Sequence, residues 1–181
     1  MQVIELPLPG LKLILPKILE DARGFLLESY RKDVLARSGI DMDFVQDNLS
    51  RSAKGTVRGL HFQMGRGQAK LVQAVRGEVF DVAVDIRPSS PTFGRWHGEL
   101  LHEHTRSAMF IPAGFAHGFC VLSEQGADVA YKVSAYYQEE TETGFAWNDP
   151  DVGVKWPVTD PVLSMRDQRA QSFAALAKEL R

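Results

Sequence analysis

The sequence contains little cysteine and no excess of either charge. Cys120 is the only cysteine among 181 residues, which excludes an intramolecular disulfide and a cysteine-based zinc site. With 21 basic and 23 acidic residues, the formal net charge of −2 gives no reason to expect nucleic acid or an anionic membrane as a partner. No apolar run reaches transmembrane length, and prolines interrupt an N-terminal stretch that lacks the basic segment of a signal peptide. We therefore expect a soluble, cytoplasmic protein.

The residues that are present predict one mostly β domain spanning residues 1–181. In Glu78–Arg87 apolar side chains alternate, so that Asp81 and Asp85 share one face of a strand. Gly- and Pro-containing turns separate many short runs of this kind, which is typical of an antiparallel sandwich or barrel. The other predicted strands are Lys12–Leu15, Phe25–Tyr30, Phe44–Leu49, Val57–Gln63, Lys70–Val75, Gly98–Leu101, Ala108–Ile111, Phe119–Leu122 and Val129–Tyr137.

Two segments predict helices. The first, Asp33–Ser38, is short and ends before Gly39. The second, Gln168–Leu180, has apolar residues at i, i+3, i+4 and i+7 counted from Phe173. We expect this second helix to pack its apolar stripe on the outside of the β domain.

A turn late in the chain carries the sharpest local motif. The segment Pro112–His117 has the pattern Pro-x-Gly-x-x-His and resembles the second motif of the cupin barrels. Its proline and Gly114 would form a tight turn, after which His117 would point into the mouth of the barrel. Taken alone, the segment fits two interpretations equally well: the cupin motif, or a generic turn followed by a histidine packed in the core.

A degraded copy of the first cupin motif lies upstream. In its metal-binding form five residues separate a glycine from His-x-His, a glutamate follows a few residues later, and six residues separate that glutamate from a second glycine. Here Gly55 and His61 keep that frame, as do Lys70 and Gly77, but Gln63 replaces the second histidine and Lys70 replaces the glutamate. An ammonium has no lone pair for a metal and repels a cation. We therefore expect that this motif does not bind a metal.

A histidine and a lysine in one cavity suit proton abstraction beside a carbonyl group. The carbon acid has a pKa of about 19 against about 6.5 for histidine, a gap of roughly 17 kcal/mol at about 1.36 kcal/mol per unit. His61 cannot bridge that gap unless a cation such as Lys70 stabilises the enolate oxygen. The plainer alternative places Lys70 at a strand end in solvent and His61 in the packed core.

Many separated blocks along the chain, in the same order, resemble one family, the dTDP-4-dehydrorhamnose 3,5-epimerases. They include Asp21–Phe25, Gln46–Ser50, Arg58–Gln63, Gln68–Val72, Asp81–Arg87, Ser90–Gly94, Ile111–Phe119, Tyr131-Lys132, Tyr136-Tyr137, Trp147–Pro150 and Ser164–Asp167. The resemblance implies a cupin-type antiparallel jelly-roll β-barrel with an N-terminal strand extension and a C-terminal helix. It also implies a cofactor-free, metal-free isomerase that is a homodimer, with substrate-site residues shared across the interface. The implied reaction inverts C3 and C5 of dTDP-4-dehydro-6-deoxy-D-glucose in dTDP-L-rhamnose biosynthesis.

The resemblance assigns four catalytic roles. His61 is the expected base, Asp167 the carboxylate that orients it, Lys70 the enolate stabiliser and Tyr131 the acid on the opposite face of the sugar. The segment Ser164–Asp167 also reads as the capped start of the last helix, and the two interpretations are compatible if that start lies at the pocket. Tyr136 and Tyr137 are close enough in sequence to Tyr131 to leave the identity of the acid open.

The remaining expected residues bind the substrate, with arginine forks suited to its diphosphate. They are Arg23, Phe25, Glu28, Gln46, Asp47, Asn48, Arg58, Gln63, His117, Glu142 and Arg166. Arg166 stands where the family usually has lysine, and the loop between His61 and Lys70 is shorter and lacks the expected prolines. Because of that loop, Arg66 is a second candidate for a phosphate contact.

Three other functions stay open at this point. A related epimerase that inverts only C3 or only C5 is the nearest. A metal-dependent cupin oxygenase is disfavoured by Gln63 and Lys70, and His102-Glu103-His104 is interpreted as an exposed, polar strand edge or turn rather than a metal site. A non-catalytic sugar-binding cupin is the third. The sequence does not predict the nucleobase preference, the pathway end product or the order of the inversions.

Overall fold

The computed structural model describes residues 1–180, which form antiparallel strands and a few short helices. The strands are β1 Gln2–Glu5, β2 Lys12–Leu15, β3 Ile18–Asp21, β4 Gly24–Leu27, β5 Gln46–Ser52, β6 Val57–Gln63, β7 Lys70–Arg76, β8 Glu78–Asp85, β9 Trp96–His102, β10 Ala108–Ile111, β11 Phe115–Val121, β12 Ala127–Val133 and β13 Glu142–Gly144. The helices are α1 Lys32–Arg37, α2 Met165–Gln168 and α3 Phe173–Glu179, with a 3₁₀ turn at Glu139–Thr141.

Two sheets and one hairpin make up the β structure. One sheet has six strands in the order β1-β2-β10-β7-β12-β5, the other has five in the order β13-β6-β11-β8-β9, and β3 pairs only with β4. A buried apolar cluster with members such as Val72, Val129, Ala83 and Phe119 takes residues from both sheets, so the two sheets face each other across it. The expected mostly β, antiparallel fold with a C-terminal helix is confirmed.

Strand β8 shows how the alternating pattern divides its residues between two apolar clusters. Val79 and Ala83 lie in the cluster between the sheets. Val82 and Val84 point the other way, into a second cluster that α3 covers with Phe173 and Leu176. The apolar stripe of the last helix therefore packs on the outside of the β domain, as its periodicity predicted.

The predicted helix Gln168–Leu180 is wrong as one continuous element. Ser164 caps α2, and Ser172 caps α3 by accepting a hydrogen bond from the backbone N–H of Ala175 at 3.2 Å. Each serine starts a new helix because its side chain satisfies backbone donors that a continuing helix would bond internally. The interruption leaves residues 169–172 free to turn the chain towards α3.

Other differences lie where tertiary contacts end or begin a strand. The strands β1, β3 and β13 were not predicted; β3 belongs to the exposed hairpin and β13 has only 3 residues. Strand β11 begins at Phe115 and not at Phe119, while β12 ends at Val133 and not at Tyr137. The chain after Val133 leaves the six-stranded sheet and crosses to the five-stranded one, where β13 pairs with β6.

Close contact between β6 and β11 places two histidines side by side. A Cβ on Gly59 would lie 2.5 Å from the Cα of Gly118, so neither position has room for a side chain. The register next to this contact pairs His61 with His117. Within residues 1–180, no helix is long and apolar enough to cross a lipid bilayer.

Candidate active site

A cavity of about 600 Å³ opens between the two sheets and is closed on one side by the α2 segment. Both sheets supply side chains to it because β6, β7, β11 and β12 turn alternate residues towards the space between them. The expected site residues that line it are His61, Lys70, Tyr131, Asp167, Arg58, His117, Glu142 and Arg166.

His61 and Asp167 form the first histidine–carboxylate pair. Nε2 of His61 lies 2.6 Å from Oδ1 of Asp167, and the side chains are 24% and 3% exposed. A carboxylate only accepts hydrogen bonds, so Nε2 carries the proton and Nδ1 keeps a lone pair for a substrate proton. The geometry suits a general base that is oriented by a buried anion.

The helix cap at α2 fixes the position of Asp167. The hydroxyl of Ser164 accepts from the backbone N–H of Asp167 at 3.1 Å and donates to Oδ2 of the same residue at 2.9 Å. Burial raises the pKa of Asp167, but hydrogen bonds from His61 and Ser164 outweigh it, and the net shift is downward. The segment is therefore both a capped helix start and the source of a carboxylate that lines the cavity, so the two sequence interpretations are compatible.

Lys70 lies on β7 with its side chain directed into the cavity. The residue is 8% exposed, and within residues 1–180 its ammonium makes no hydrogen bond or ion pair. Burial lowers its pKa to about 8, while the charges of Glu142 and Asp81 oppose that shift. Lys70 therefore stays protonated at neutral pH, and its charge is available to an oxygen in the cavity. The alternative of a solvent-exposed lysine does not hold.

His117 forms a second pair, with Asp81. Its Nε2 lies 2.9 Å and 3.0 Å from the two carboxylate oxygens, and the side chains are 8% and 0% exposed. Burial lowers the pKa of His117 more than Asp81 raises it, so the ring is neutral at pH 7. Sequence reasoning missed Asp81, although its place on one strand face with Val79 and Ala83 marked it as inward-facing.

Among the three candidate tyrosines, Tyr131 is the one that lines the cavity. Burial, followed by the charge of Glu142, raises its pKa, so its phenol keeps its proton at neutral pH. Tyr136 and Tyr137 are 68% and 50% exposed. Tyr137 donates a hydrogen bond to Glu142 at 3.1 Å from outside the cavity.

Three arginines line the cavity. Arg58 donates to the hydroxyl of Ser52 at 2.9 Å, and Arg166 pairs with Glu142. Arg51, which sequence reasoning did not select, also lines the cavity and binds Asp128 through two bonds of 2.6 and 2.7 Å. This concentration of guanidinium groups suits an anion with several oxygens, such as a diphosphate.

The structure does not bring seven of the expected residues to this cavity. Arg23, Phe25 and Glu28 lie on or beside the β3–β4 hairpin, where Arg23 pairs with Asp21 and the Arg106 guanidinium lies 3.4 Å above the Phe25 ring. Gln46, Asp47 and Asn48 lie on β5, the edge strand of the six-stranded sheet. Gln63 uses its amide to hold another part of the chain. Arg66 is exposed and lines a separate cavity.

The residues present do not form a metal-binding cluster. Within residues 1–180, no three His, Cys, Asp or Glu side chains converge as metal ligands. Gln63 and Lys70 occupy the two positions where the metal-binding motif has donors. His104 is exposed, and its backbone N–H donates to Nδ1 of His102 at 3.0 Å.

A histidine held by a carboxylate, a protonated tyrosine and an ammonium line one cavity, and such a set can move protons on carbon without a cofactor. The family model described as dTDP-4-dehydrorhamnose 3,5-epimerase matches residues 5–175. The chain belongs to the dTDP-4-dehydrorhamnose 3,5-epimerase family. The resemblance inferred from the sequence is confirmed.

Individual relatives are similar over nearly the whole chain. The dTDP-4-dehydrorhamnose 3,5-epimerase of Pseudomonas aeruginosa is 48% identical over 96% of this chain and 97% of its own length. A relative of the same name from Neisseria gonorrhoeae is 48% identical over 98% of this chain, which spans only 54% of that longer protein. The crystal structure of dTDP-6-deoxy-D-glucose-3,5-epimerase from Legionella pneumophila with dTDP-4-keto-L-rhamnose is 46% identical, with a TM-score of 0.94 and coverage of 99% and 96% of the two chains.

The chain is also similar to a protein with a narrower activity in its name. The dTDP-4-dehydrorhamnose 3-epimerase of Streptomyces niveus is 42% identical over 96% of this chain and 84% of its own length. Membership of the family therefore leaves the number of inverted carbons to be tested.

Proposed function

We propose that this protein is a dTDP-4-dehydrorhamnose 3,5-epimerase. It inverts C3 and C5 of dTDP-4-dehydro-6-deoxy-D-glucose to give dTDP-4-dehydro-L-rhamnose, without a metal or cofactor. The observation that carries the proposal is that Lys70, a largely buried residue, presents its ammonium to the same cavity as the His61–Asp167 pair. A cytoplasmic location remains a prediction.

The proposed mechanism uses one base and one oxyanion site for both carbons. C3 and C5 both flank the C4 ketone, so removing a proton from either carbon gives an enolate with its charge on the same oxygen. Nδ1 of His61 takes the proton, and Asp167 stabilises the imidazolium that forms. Lys70 stabilises the enolate oxygen electrostatically in a site from which water is largely excluded.

Inversion requires a proton donor on the opposite face of the sugar. Tyr131 is on β12 of the six-stranded sheet and His61 is on β6 of the facing sheet, so the two groups approach the cavity from opposite sides. The raised pKa of Tyr131 keeps its proton in place until the enolate forms. We propose that Tyr131 then protonates the carbon and completes the inversion.

The charged end of the cavity suits the rest of the substrate. Arg58 and Arg166 would bind the diphosphate, and His117, held by Asp81, would contact the sugar. Glu142 pairs with Arg166 and neutralises part of its charge.

Residues of the β3–β4 hairpin and strand β5 support a homodimer as part of the proposal. The hairpin exposes Leu19, Phe25 and Leu26 at 51%, 52% and 69%, and β5 exposes Leu49 at 70%. Apolar patches of this kind mark interaction surfaces. We propose that a second copy covers them, and that Arg23, Phe25, Glu28 and the Gln46–Asn48 run complete the nucleotide end of the partner's cavity.

Mixing two inactive variants tests the shared site. A heterodimer of His61→Asn and Arg23→Ala chains has one cavity in which both residues are wild type. Statistical mixing should therefore restore about a quarter of wild-type turnover if Arg23 serves the partner. A mixture no more active than the separate variants, or a monomer in sedimentation, would refute the shared site.

Solvent exchange tests the reaction itself. The purified protein is incubated with the 4-keto sugar nucleotide in deuterated water, and the C3–H and C5–H signals are followed by NMR. We expect exchange at both carbons, no exchange with His61→Asn, and exchange with a corrupted stereochemical outcome for Tyr131→Phe. Tyr136→Phe is the matched control and should behave as wild type. Full exchange in the His61 variant would remove the assigned base.

The second candidate function is a single inversion, which the similarity to the Streptomyces niveus 3-epimerase supports. The same experiment separates the two, because a 3-epimerase exchanges C3–H and leaves C5–H intact. A binding protein without activity would exchange neither proton.

A further inference from the structure

Gln63 occupies the metal-ligand position of the cupin motif, yet its amide is fully engaged with the protein. Its Nε2 donates to the carbonyl of Gln138 at 2.7 Å and to the hydroxyl of Thr141 at 2.9 Å. Its Oε1 accepts from the backbone N–H of Gln138 at 3.1 Å. The residue is 9% exposed and does not line the large cavity. Its side chain therefore holds protein backbone in place.

The backbone that Gln63 holds is the crossing segment, residues 134–142, which links β12 to β13. This segment has little regular structure, apart from the 3₁₀ turn Glu139–Thr141. Two other glutamines bind it: Gln68 donates to the carbonyl of Ala135 at 2.7 Å, and Gln46 accepts from the N–H of Tyr137 at 3.0 Å. Gln63 makes three of these contacts, and they lie next to Glu142.

Glu142 transmits the position of the crossing segment to the active site. Its carboxylate accepts from Tyr137 at 3.1 Å and pairs with Arg166, which directly precedes Asp167 in α2. Register pairs Glu142 with Gln63 and Gly144 with His61. A shift of the segment would therefore displace Glu142 relative to Lys70 and loosen one tether of the helix that carries Asp167.

We propose that Gln63 is a positioning residue, which anchors the crossing segment so that Glu142 stays between Lys70 and Arg166. The inference rests on the proposed epimerase function, since Lys70 and Asp167 are its catalytic groups. The charge of Glu142 opposes the lowering of the Lys70 pKa by burial, and a small misplacement of catalytic groups can cost about a hundredfold in rate.

Two variants of different severity test the proposal. Gln63→Met removes all three hydrogen bonds with little change in volume, and Thr141→Val removes one of them. We expect kcat to fall roughly tenfold to a hundredfold in the first and about twofold to threefold in the second, with KM changing less than kcat. Gln73→Met is the matched control, because the Gln73 amide also donates to a backbone carbonyl, that of Arg106 at 2.5 Å, outside the cavity.

A second readout does not depend on turnover. Glu142 and Asp81 raise the pKa of Lys70, and the charge of Lys70 lowers that of His117. The other titratable or charged side chains that line the cavity with Lys70 are His61, Tyr131, Arg58, Arg51, Arg166 and Asp167. Loss of the Gln63 anchor should lower the pKa of Lys70, which can be measured by NMR of the Lys70 Cε in isotopically labelled protein. It should also move the alkaline limb of the kcat/KM profile to lower pH. Gln73→Met should leave both unchanged.

The outcomes separate the two levels of inference. A raised KM with an unchanged Lys70 titration would show that Gln63 contacts substrate. A Gln63→Met variant that behaves like the Gln73→Met control would show that Gln63 has no role. Either result overturns the proposal. If Gln63→Met does not fold, Thr141→Val decides by the same criteria. Absence of carbon–hydrogen exchange in the wild type refutes the epimerase function, and the Lys70 titration still decides the positioning role.

Discussion

Two histidine–carboxylate pairs stand side by side on neighbouring strands, and they are built differently. His61 takes its carboxylate from Asp167, 106 residues away on a short helix, and its side chain is 24% exposed. His117 takes its carboxylate from Asp81 on the adjacent strand, and its side chain is 8% exposed. We call His61–Asp167 the outer pair and His117–Asp81 the inner pair. The outer pair joins a strand to a short helix far along the chain, whereas the two residues of the inner pair lie on adjacent strands of one sheet.

The difference explains how one residue type can have two roles in one cavity. His61 makes one bond to one carboxylate oxygen, while Ser164 holds the other oxygen. His117 is bound by both oxygens of a fully buried carboxylate. A base must gain and lose a proton during turnover, which partial exposure permits, whereas burial lowers the pKa of His117 and keeps it neutral. We therefore interpret the outer pair as catalytic and the inner pair as a rigid wall with a hydrogen-bonding edge.

The largest expected effect separates the two histidines. His61→Asn should lower kcat by about a thousandfold, within the usual range for a general base, and should cost less stability than His117→Asn because Ser164 still donates to Asp167. His117→Asn leaves the buried carboxylate of Asp81 without its partner and should lower the free energy of unfolding by about 3–5 kcal/mol. Proton exchange by NMR and urea denaturation measure the two effects. Equal loss of stability in both variants would contradict the distinction.

The carboxylates should differ next. Asp167→Asn should lower kcat by about a hundredfold, because an amide neither stabilises the imidazolium nor fixes the tautomer of His61. Asp81→Asn should cost less than about tenfold, since a neutral histidine needs only a hydrogen-bond acceptor. Steady-state kinetics of both variants at neutral pH decide this. Comparable losses would mean that His117 also exchanges protons during turnover.

Lys70 links the site to stability through pH. Its folded pKa of about 8 lies below the ordinary lysine value of 10.5, so between these values the unfolded chain binds more protons and wild-type stability rises with pH. At about 1.36 kcal/mol per unit, Lys70→Met should raise the free energy of unfolding by about 3 kcal/mol at pH 7. The advantage should shrink from pH 8 upwards and vanish above 10.5.

Urea denaturation at several pH values measures this gain, and turnover of the same variant should be lost. The wild-type kcat/KM profile should show an alkaline limb near pH 8, the value at which Lys70 loses its charge. Lys70→Met that is less stable than wild type at pH 7 would show that the ammonium is better solvated than the structure indicates.

The smallest effect concerns the helix cap that supports the outer pair. Ser164→Ala removes the cap of α2 and one hydrogen bond to Asp167, so we expect about 1 kcal/mol of lost stability and a threefold or so lower kcat. Ser172→Ala removes the equivalent cap of α3, which has no contact with His61, and should lose similar stability with unchanged kcat. Thermal unfolding and kinetics of the pair distinguish a positioning role of Ser164 from a purely structural one.

Local sequence patterns predicted much of the fold, because apolar and polar side chains alternate between neighbouring residues of a strand. The strands Lys12–Leu15, Val57–Gln63 and Ala108–Ile111 match the structure at both ends. Strand β13 could not be predicted, since its 3 residues form a strand only by pairing with β6. The break between α2 and α3 depended on two serine caps within one continuous apolar pattern.

The sequence by itself determined which chemical groups the site contains: a histidine and a lysine stand where a metal-binding cupin has metal ligands. It also identified the family in which the same residues are found. The family resemblance already paired Asp167 with His61, and the tertiary structure shows how the capped start of α2 holds Asp167 in place. The meeting of Asp81 with His117 was decided by the tertiary structure, because the two strands that carry them pair. Only the structure distinguished Tyr131 from Tyr136 and Tyr137 as the candidate acid. Because β12 ends at Val133, Tyr131 lies in the strand and lines the cavity, whereas the other two tyrosines lie beyond it and are exposed. These choices depend on contacts between residues far apart in the chain, and no local pattern of residues encodes such contacts.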